Sequence, residues 1–397
     1  MPSNSRFHRL LFTALAFTLS GGLSLLGFEF GLRALRDPNA FYPYHPNTSR
    51  VFFPSEPITP GVSGRSYFTT NSLGTRGPEW DGERVKILTV GGSTTACTVL
   101  DDSEAWPRLL MDDLNADAHD PKAYWVTNSG IDGLNSQHHL MHALYLLPEL
   151  PQIDFMIVYA GLNDVGSWLY REEFDAHALD DPAHFDNRVG EAFRVSRYSP
   201  ADFPWYKRLE VWKRAGAIKA RILSRRVEAG RADGALVQDA ELRWMEKAQE
   251  ERRMHAATFV HRAKMETLPA ALDAYGETLD RIIAAARRSN TTPVFVAQAI
   301  QHLFLNEEER RRLWMGAMDG GKTYVKEEQM LELLQKFNGR MREVAAASGV
   351  PFIDLPAVLA GEHDIFYDGV HLNERGARVV ARAFASELER SVFPTLP

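Results

Sequence analysis

The sequence contains a single cysteine, Cys97, so a disulfide bond within the chain is excluded. A free cysteine is compatible with the cytoplasm and also with an exported protein that does not depend on disulfides. An excess of basic charge is missing too, because the formal net charge is −7 over 397 residues. Nucleic-acid binding needs a strongly basic surface, so no nucleic acid is expected as a partner.

The remaining composition is that of an ordinary folded protein. Hydrophobic residues make up 45% of the chain and charged residues 24%, which permits a sizeable core. The length allows two average domains or one α/β domain that carries insertions.

One long uncharged run, residues 10–28, lies close to the N-terminus, with Arg6 and Arg9 before it and Glu29 after it. As a helix it would span roughly 28 Å, close to the hydrocarbon thickness of a bilayer. Basic flanking residues favour a cytoplasmic N-terminus, so we expect residues 1–36 to be a transmembrane anchor and the remainder to be periplasmic or extracellular. A cleaved signal peptide and a buried core helix are the alternatives, but no clear cleavage site is present.

Strand-like runs begin after an irregular lead-in at residues 37–82, which is rich in Pro, Gly, Asn and aromatic residues. Beyond it, five short apolar runs alternate with long helical stretches. They cover residues 85–90, 124–127, 155–159, 294–296 and 352–355. This alternation predicts βαβ units and a mostly parallel sheet, whose ligands bind outside the C-terminal ends of the strands.

A helical insertion at about residues 166–265 is predicted between the third and fourth strands, because one crossover helix cannot fill that distance. Its basic stretch, residues 205–231, contains nine Lys or Arg residues and two Glu residues. Trp205, Leu209 and Trp212 recur at near-helical intervals, which is typical of an amphipathic helix. Two interpretations stay open: a lid that contacts anionic lipid or an anionic substrate, and a solvated helix face.

The first predicted strand ends in residues 91–95, GGSTT. Two glycines permit a tight turn, and a helix after them would place Ser93 at its N-terminus, where N–H groups favour a developing anion. The pattern differs from the nucleophile elbow of α/β-hydrolases, because Thr95 stands where that motif has glycine. Ser93 is therefore a candidate nucleophile, with helix capping as the structural alternative.

Three further polar signals follow later strands. After the second strand, the glycine-rich loop at residues 128–136 can bring a backbone N–H close to a substrate. Asn163 follows the third strand, and its carboxamide suits stabilisation of an oxyanion. Asp368 and His371 follow the fifth strand, and in a helical turn a spacing of three would put both side chains on one face. Asp368 would then orient His371 and stabilise its imidazolium after proton uptake from Ser93.

In this order, the four signals resemble the blocks of the SGNH (GDSL-like) hydrolase family over residues 83–390. The resemblance implies a three-layer α/β/α sandwich around a five-stranded parallel sheet, similar to flavodoxin in topology. It implies Ser93 as the nucleophile, with Asp368 and His371 completing a triad.

The resemblance also implies an oxyanion hole formed by Ser93, Gly133 and Asn163. In the family's second block the glycine stands five residues after the asparagine, here Asn128, which selects Gly133 and leaves Gly130 as a turn residue.

One position departs from the family pattern, because Gly-Asp-Ser-Leu is replaced by GGST at residues 91–94. The acidic residue before Ser93 is absent, and Asp368 would still supply the acid of the triad. We therefore expect activity to persist in an altered site. Residues 70–79, TNSLGTRGPE, are also similar to a branch of membrane-anchored bacterial members.

The resemblance implies a serine ester hydrolase, an acyl or acetyl esterase similar to lipases, that acts on a lipid, glycan or small ester. No metal or organic cofactor is implied. One alternative keeps the site but makes the protein an O-acetyltransferase or deacetylase of cell-envelope polysaccharide. The others are a catalytically silent scaffold and a flavodoxin-like binding protein, which would leave Asp368 and His371 unexplained.

Three other groups have ordinary explanations. His138, His139 and His142 include an i,i+4 pair able to bind zinc, but no Glu completes a metalloprotease motif and a polar helix surface explains them. Residues 307–312, EEERRR, predict a solvated helix that carries its own ion pairs. Cys97, one turn beyond Ser93, is predicted to be buried rather than reactive.

Overall fold

The protein is described by a computed structural model. Its described residues are 3–35, 41–82, 84–118, 120, 123–170, 178–196, 204–212, 214–215, 218, 240–255, 257–301 and 305–393. Residues 219–231 of the predicted basic stretch therefore lie outside the described residues.

Ten strands and thirteen α-helices are numbered here in chain order within the described residues. The strands are β1 (Ser49–Phe52), β2 (Ser66–Thr69), β3 (Val85–Gly91), β4 (Tyr124–Asn128), β5 (Phe155–Ala160), β6 (Ala257–Thr258), β7 (Thr292–Ala297), β8 (Ala317–Met318), β9 (Thr323–Val325) and β10 (Phe352–Ile353). The helices are α1 (Ser3–Ala34), α2 (Ser93–Ala96), α3 (Trp106–Asp117), α4 (Ser136–Met141), α5 (Leu162–Tyr170), α6 (Pro182–Ala192), α7 (Ala240–Met254), α8 (Arg262–Met265), α9 (Leu268–Arg288), α10 (Glu307–Arg312), α11 (Glu327–Ser348), α12 (Leu355–Val358) and α13 (Glu374–Ser391).

Short helical turns of other types complete the described elements. Those with 3₁₀ geometry are Leu147–Glu149, Ala178–Asp180, Trp205–Arg208 and Asp319–Gly321, and one π-helical turn covers His142–Leu146.

The central sheet confirms the predicted fold. Its five strands are parallel and lie in the order β10-β7-β5-β3-β4, which is the flavodoxin-like arrangement. The chain reverses its direction of winding between β3 and β5. In such sheets the crevice at this switch point, outside the C-terminal ends of the strands, is where ligands bind.

Both faces of the sheet are covered by helices, which makes the three layers. Met156 and Val158 of β5 face one core with α9 and α11. Ile157 and Tyr159 face the other core with α3 and α13. Every residue of β5 is buried, as expected for a parallel strand that is covered on both sides.

The fifth predicted strand is shorter than the sequence indicated. Its apolar run continues to residue 355, but β10 ends at Ile353 and Asp354 is the N-cap of α12. Pro356 explains the change, because proline cannot donate to a strand ladder but fits the first turn of a helix.

A second excursion from the central fold, residues 298–326, was not predicted. Here β8 pairs with β9, and β9 pairs with β6 of the first insertion, so that the two excursions share one three-stranded sheet. Arg252 of α7 strengthens the junction, since its buried guanidinium donates to the carbonyls of Met315 and Val325.

The N-terminal helix α1 includes a segment, Leu11–Ala34, that is long and apolar enough to cross a membrane, and its apolar window is not buried. The alternative of a buried core helix therefore has no support. Near the end of this segment Glu29 is buried and accepts hydrogen bonds from the backbone N–H groups of Glu210 and Val211, each at 3.0 Å.

Candidate active site

Ser93, His371 and Asp368 lie in one chain of short contacts beside the C-terminal end of β3. The Oγ of Ser93 is 2.7 Å from Nε2 of His371, and Nδ1 of the same ring is 2.7 Å from Oδ2 of Asp368. A carboxylate beside Nδ1 favours the tautomer with its proton on that nitrogen. Nε2 is then free to accept the hydrogen bond from the serine hydroxyl, which is the geometry of a nucleophile and its base.

The two partners meet through a bend and not through the helical turn that the spacing indicated. Gly369, between them, has a φ of +82°, which is outside the helical region. Asp368 closes the bend, because its Oδ1 accepts from the N–H groups of Val370 at 3.0 Å and His371 at 2.7 Å. The expected contact between Asp368 and His371 therefore forms, but a bend at Gly369 produces it and a helical turn does not.

Asp368 is ionised under ordinary conditions although it is buried. Burial raises the pKa of this carboxyl, but the charge of His371 and the hydrogen bonds that it and Trp314 donate outweigh that effect. The net result is a pKa below the ordinary value of 3.8. Only 1% of Asp368 and 8% of His371 is exposed, so their interaction is poorly screened by water.

The short helix α2, which carries Ser93, is fixed by side chains from two other segments. Arg76 of the lead-in donates to the carbonyls of Ala96 at 2.7 Å and Cys97 at 2.8 Å. Asn128, at the end of β4, donates to the carbonyl of Thr95 at 2.7 Å. The last carbonyls of α2 are therefore satisfied without further helix, and the nucleophile turn is held in one position.

The predicted oxyanion donors lie beside Ser93. Asn163 is in the first turn of α5, and its Nδ2 donates to the carbonyl of Leu134 at 2.8 Å, which leaves the second amide hydrogen for another acceptor. Gly133 is exposed with a φ of +81° and lines the same cleft as Ser93 and Asn163. Gly130 has another role, because its Cα packs so closely on α2 that a Cβ would lie 2.6 Å from the nitrogen of Ala96.

A cleft of about 440 Å³ opens above these residues. Both excursions contribute to its wall: Trp244 and Met245 come from α7, and Trp314 and Met315 from the second excursion. The rings of Trp244 and Trp314 meet edge to face, with centroids 5.0 Å apart. These four residues belong to no motif, and sequence reasoning missed them.

Asp132 and Thr98 form the polar side of the cleft. The Thr98 hydroxyl donates to both carboxylate oxygens of Asp132, at 2.8 and 2.9 Å. None of the described residues that line the cleft is a lysine or an arginine. The cleft therefore combines apolar walls with one negative charge.

The three histidines of α4 and the next turn are buried, so the predicted polar helix surface is wrong. Packing of α6 across α4 covers them: His138 contacts Glu191 through Nε2 at 2.7 Å, and His142 contacts the carbonyl of Ala192 at 3.0 Å. His139 is fully buried, and burial lowers its pKa well below the usual range. Within the described part of the chain, no group of three His, Cys, Asp or Glu side chains is placed to hold a metal ion.

Two smaller predictions are confirmed. The helix α10 carries its own i,i+4 ion pairs, from Arg311 to Glu307 and from Arg312 to Glu308. Cys97 is buried, and burial raises the pKa of its thiol to about 11, which keeps it protonated and unreactive at neutral pH.

A family model described as the GDSL-like Lipase/Acylhydrolase family matches residues 89–379, well over half of the chain. The chain has no match among the curated proteins.

Solved structures of several esterases and hydrolases are similar in fold. One is an alpha/beta hydrolase enzyme, LAE5, from the metagenome of Lake Arreo, Spain, with 12% identity, coverage of 77% of this chain and 95% of that chain, and a TM-score of 0.39. An acetyl xylan esterase from Geobacillus stearothermophilus has 13% identity, the same coverage of 77% and 95%, and a TM-score of 0.39. A member of the lipolytic protein G-D-S-L family from Veillonella parvula has 13% identity, coverage of 78% and 99%, and a TM-score of 0.38.

Proposed function

The chain belongs to the GDSL-like lipase/acylhydrolase family and is an ester-hydrolysing enzyme, and on this premise we propose that Ser93, His371 and Asp368 are its catalytic triad. The observation that carries the proposal is the 2.7 Å contact of Ser93 with a histidine whose other nitrogen faces a buried carboxylate. Neither a catalytically silent scaffold nor a binding protein requires a serine, a histidine and a buried carboxylate in hydrogen-bond contact.

The reaction is acyl transfer in two steps. As Oγ of Ser93 attacks the ester carbonyl, its proton moves to Nε2 of His371, and Asp368 stabilises the imidazolium. Collapse of the tetrahedral intermediate breaks the bond to the alcohol, which leaves with the proton from His371. Water then repeats the sequence on the acyl-enzyme, releases the acid and restores the Ser93 hydroxyl.

The oxyanion of each intermediate is held by three donors: the N–H groups of Ser93 and Gly133 and the carboxamide of Asn163. Support comes from the second amide hydrogen of Asn163 and from the open surface at Gly133, where no atom lies within 4 Å of a Cβ position. Fixed dipoles of this kind stabilise developing charge without reorganising.

The substrate is an uncharged ester. The apolar walls suit an acyl chain or another apolar group, and the carboxylate of Asp132 repels an anionic one. Trp244 favours a second candidate, the acetyl groups of envelope polysaccharide, since this residue is 49% exposed and lines the cleft. Sugar rings pack their C–H faces on aromatic rings, and their hydroxyls would donate to Asp132. Transfer of the acetyl group to a sugar hydroxyl in preference to water would identify an O-acetyltransferase.

The protein is anchored in the cytoplasmic membrane by α1, and its catalytic domain is periplasmic or extracellular. Length and composition of Leu11–Ala34 support the anchor, and Arg6 and Arg9 support a cytoplasmic N-terminus. Carbonate extraction of membranes tests this location, because an anchored chain stays in the pellet. Release of the full-length chain into the soluble fraction would contradict it.

A fluorophosphonate probe tests the triad directly, because it reacts with activated serines only. Applied to the full-length protein in detergent, it should label the wild type and the variant Ser72→Ala equally, since Ser72 is an exposed lead-in residue. Ser93→Ala should not be labelled. Absence of label on the wild type, or equal label on Ser93→Ala, would refute the proposal.

A further inference from the structure

Trp314 contacts both partners of Ser93. Its indole Nε1–H donates to Oδ2 of Asp368 at 2.7 Å. Its ring lies almost parallel to the imidazole of His371, at 8° with centroids 5.8 Å apart. Tyr367 also packs its ring on this imidazole, at 24° and 5.4 Å. Aromatic surfaces therefore flank the histidine, and one of them is hydrogen-bonded to its carboxylate.

The carboxylate of Asp368 accepts four hydrogen bonds, two on each oxygen. Oδ1 faces the N–H groups of Val370 and His371, and Oδ2 faces Nδ1 of His371 and Nε1 of Trp314. The backbone donors belong to the bend itself. Trp314 is the donor that reaches the carboxylate from a distant segment, and it shares the oxygen on which the histidine depends.

We propose that Trp314 is a positioning residue for ester hydrolysis, which fixes the Asp368 carboxylate and the His371 ring in the orientation that the proton transfer needs. The proposal rests on the triad proposed above. By donating to Oδ2, the indole also draws negative charge away from the oxygen that faces the imidazolium. The ring of Trp314 limits movement of the imidazole, so that Nε2 stays directed at Ser93.

Contacts with α7 hold Trp314 and its neighbour in place within the second excursion. Arg252 donates to the carbonyl of Met315, the next residue, and also to Glu327 at 3.1 Å. Trp244 supports the indole ring from the cleft side. Packing between the two excursions therefore fixes the position of Trp314. No sequence motif indicates this position.

Trp314→Phe is the decisive variant, because it keeps an aromatic ring and removes the N–H donor. We expect kcat to fall about tenfold to a hundredfold, as for loss of a hydrogen bond to a charged group, with KM within about twofold. With one donor fewer, Oδ2 stabilises the imidazolium better, so the acid limb of the kcat/KM profile should move to higher pH. The titratable groups near His371 are Asp368, Tyr367, whose ring stacks on the imidazole, and Asp132, which lines the same cleft, and all three are unchanged in the variant.

Trp168→Phe is the matched control, since it removes an indole hydrogen bond of similar length, 3.0 Å to Thr267, in the core. It should leave the acid limb in place. If Trp314→Phe kept the wild-type kcat and acid limb, or if both variants shifted alike, the proposal would be wrong. Continued fluorophosphonate labelling of Ser93 in Trp314→Phe keeps this outcome separate from failure of the triad proposal.

A second inference comes from the end of the apolar helix. The uncharged run of residues 10–28 is followed directly by Glu29, the first charged residue in the outer part of the apolar segment if α1 is an anchor as proposed. Its carboxylate binds the backbone of Glu210 and Val211. These contacts place the neighbouring segment, residues 204–212, at the level of the lipid headgroups.

This segment carries the side chains that membrane interfaces favour. Trp205 is 74% exposed, Tyr206 38% and Trp212 51%, and their rings contact one another edge to face. Lys207 and Arg208 lie between them in the sequence. Aromatic rings with one polar edge are enriched at the interface, where cationic side chains contact lipid phosphates.

We infer that Trp205, Tyr206 and Trp212 insert into the headgroup region of the outer leaflet beside α1. Full-length protein in phosphatidylcholine vesicles with brominated acyl chains tests this, because bromine quenches nearby tryptophan fluorescence. Lipid brominated close to the glycerol should quench more strongly than lipid brominated close to the chain end. The double variant Trp205→Phe/Trp212→Phe should lose most of this quenching, and Trp244→Phe should retain it.

Wild-type protein that is retained after carbonate extraction but not quenched would contradict the inference and leave the anchor intact. Equal quenching of the wild type and the double variant would contradict it as well.

Discussion

Gly92 and Asn163 are so close that a Cβ atom on residue 92 would lie 2.4 Å from Nδ2 of Asn163. The family pattern has an aspartate at this position, where the present chain has glycine. In this structure the carboxamide of Asn163 occupies the space that a side chain on residue 92 would need. The glycine at position 92 therefore leaves room for Asn163, the proposed oxyanion donor, in its present position.

Restoring the aspartate with Gly92→Asp should reduce activity. The new side chain would displace the carboxamide of Asn163 and add a negative charge beside the developing oxyanion. Because loss of one oxyanion donor costs roughly 100- to 1000-fold in kcat, we expect a decrease of about 100-fold with little change in KM. Steady-state kinetics with a small chromogenic ester measure both quantities.

Gly339→Ala provides the control, since no atom lies within 4 Å of a Cβ at this position in α11. Its kinetics should equal those of the wild type. Wild-type kcat in Gly92→Asp would show that Asn163 does not need the space at residue 92.

Arg76 should contribute strongly to the free energy of unfolding. Its guanidinium is buried, pairs with Asp102 at 2.7 Å and satisfies carbonyls at the end of α2. Asp102 is partly exposed, so the main loss is that of the hydrogen bonds which this charged group donates to carbonyls. Hydrogen bonds to charged groups contribute roughly 1.5–3 kcal/mol each, so Arg76→Met should lower the free energy of unfolding by about 3 kcal/mol. Denaturant unfolding measures the change. Arg108→Met, which breaks an exposed pair with Asp112, should cost less than about 1 kcal/mol.

The strands and the polar residues that follow them could be predicted because their signals are local. An apolar run bounded by turn residues identifies a buried strand wherever it lies, and parallel packing then brings strand ends together. Ser93, Asn163 and His371 could therefore be assigned to one sheet edge from their positions in the chain. The backbone cause of the contact between Asp368 and His371 was missed, because a spacing of three fits both a helical turn and the bend at Gly369.

The aromatic wall of the cleft could not be predicted in the same way. Trp244 and Trp314 come together only because β6 and β9 pair across two excursions, and strands of two or three residues leave no periodic signal. The interior positions of His138 and His142 depend likewise on coverage of α4 by α6. Contacts between segments far apart in sequence decide both cases.

Asp164 should make stability depend on pH between about 4 and 6. Burial raises the pKa of its carboxyl to about 6, against hydrogen bonds from Ser136 that lower it. The folded state thus binds a proton that the unfolded state has released above its ordinary value of 3.8. Stability from this group is complete below that value and falls as the pH rises to about 6. The total loss is roughly 3 kcal/mol for a shift of this size.

The variant Asp164→Asn isolates this contribution, because other carboxyl groups titrate in both proteins. Urea unfolding at a series of pH values gives two stability curves, and the gap between them should change across this interval. Asp112→Asn, at an exposed position, is the control. Its curve of stability against pH should have the wild-type shape. Parallel curves for the wild type and Asp164→Asn would mean that Asp164 is not protonated in the folded protein.

Asp368→Asn should abolish most of the activity without disturbing the cleft. Each oxygen of this carboxylate accepts two N–H groups, so the NH₂ of an asparagine must face donors on whichever side it lies. Turned toward His371, it would favour the tautomer with the proton on Nε2, which cannot accept the proton of Ser93. We expect kcat to fall by about 10³- to 10⁴-fold, as found where a triad aspartate is replaced by asparagine. Asp132→Asn, which changes a carboxylate of the cleft lining, should change KM more than kcat. Equal losses in the two variants would argue against the special role of Asp368.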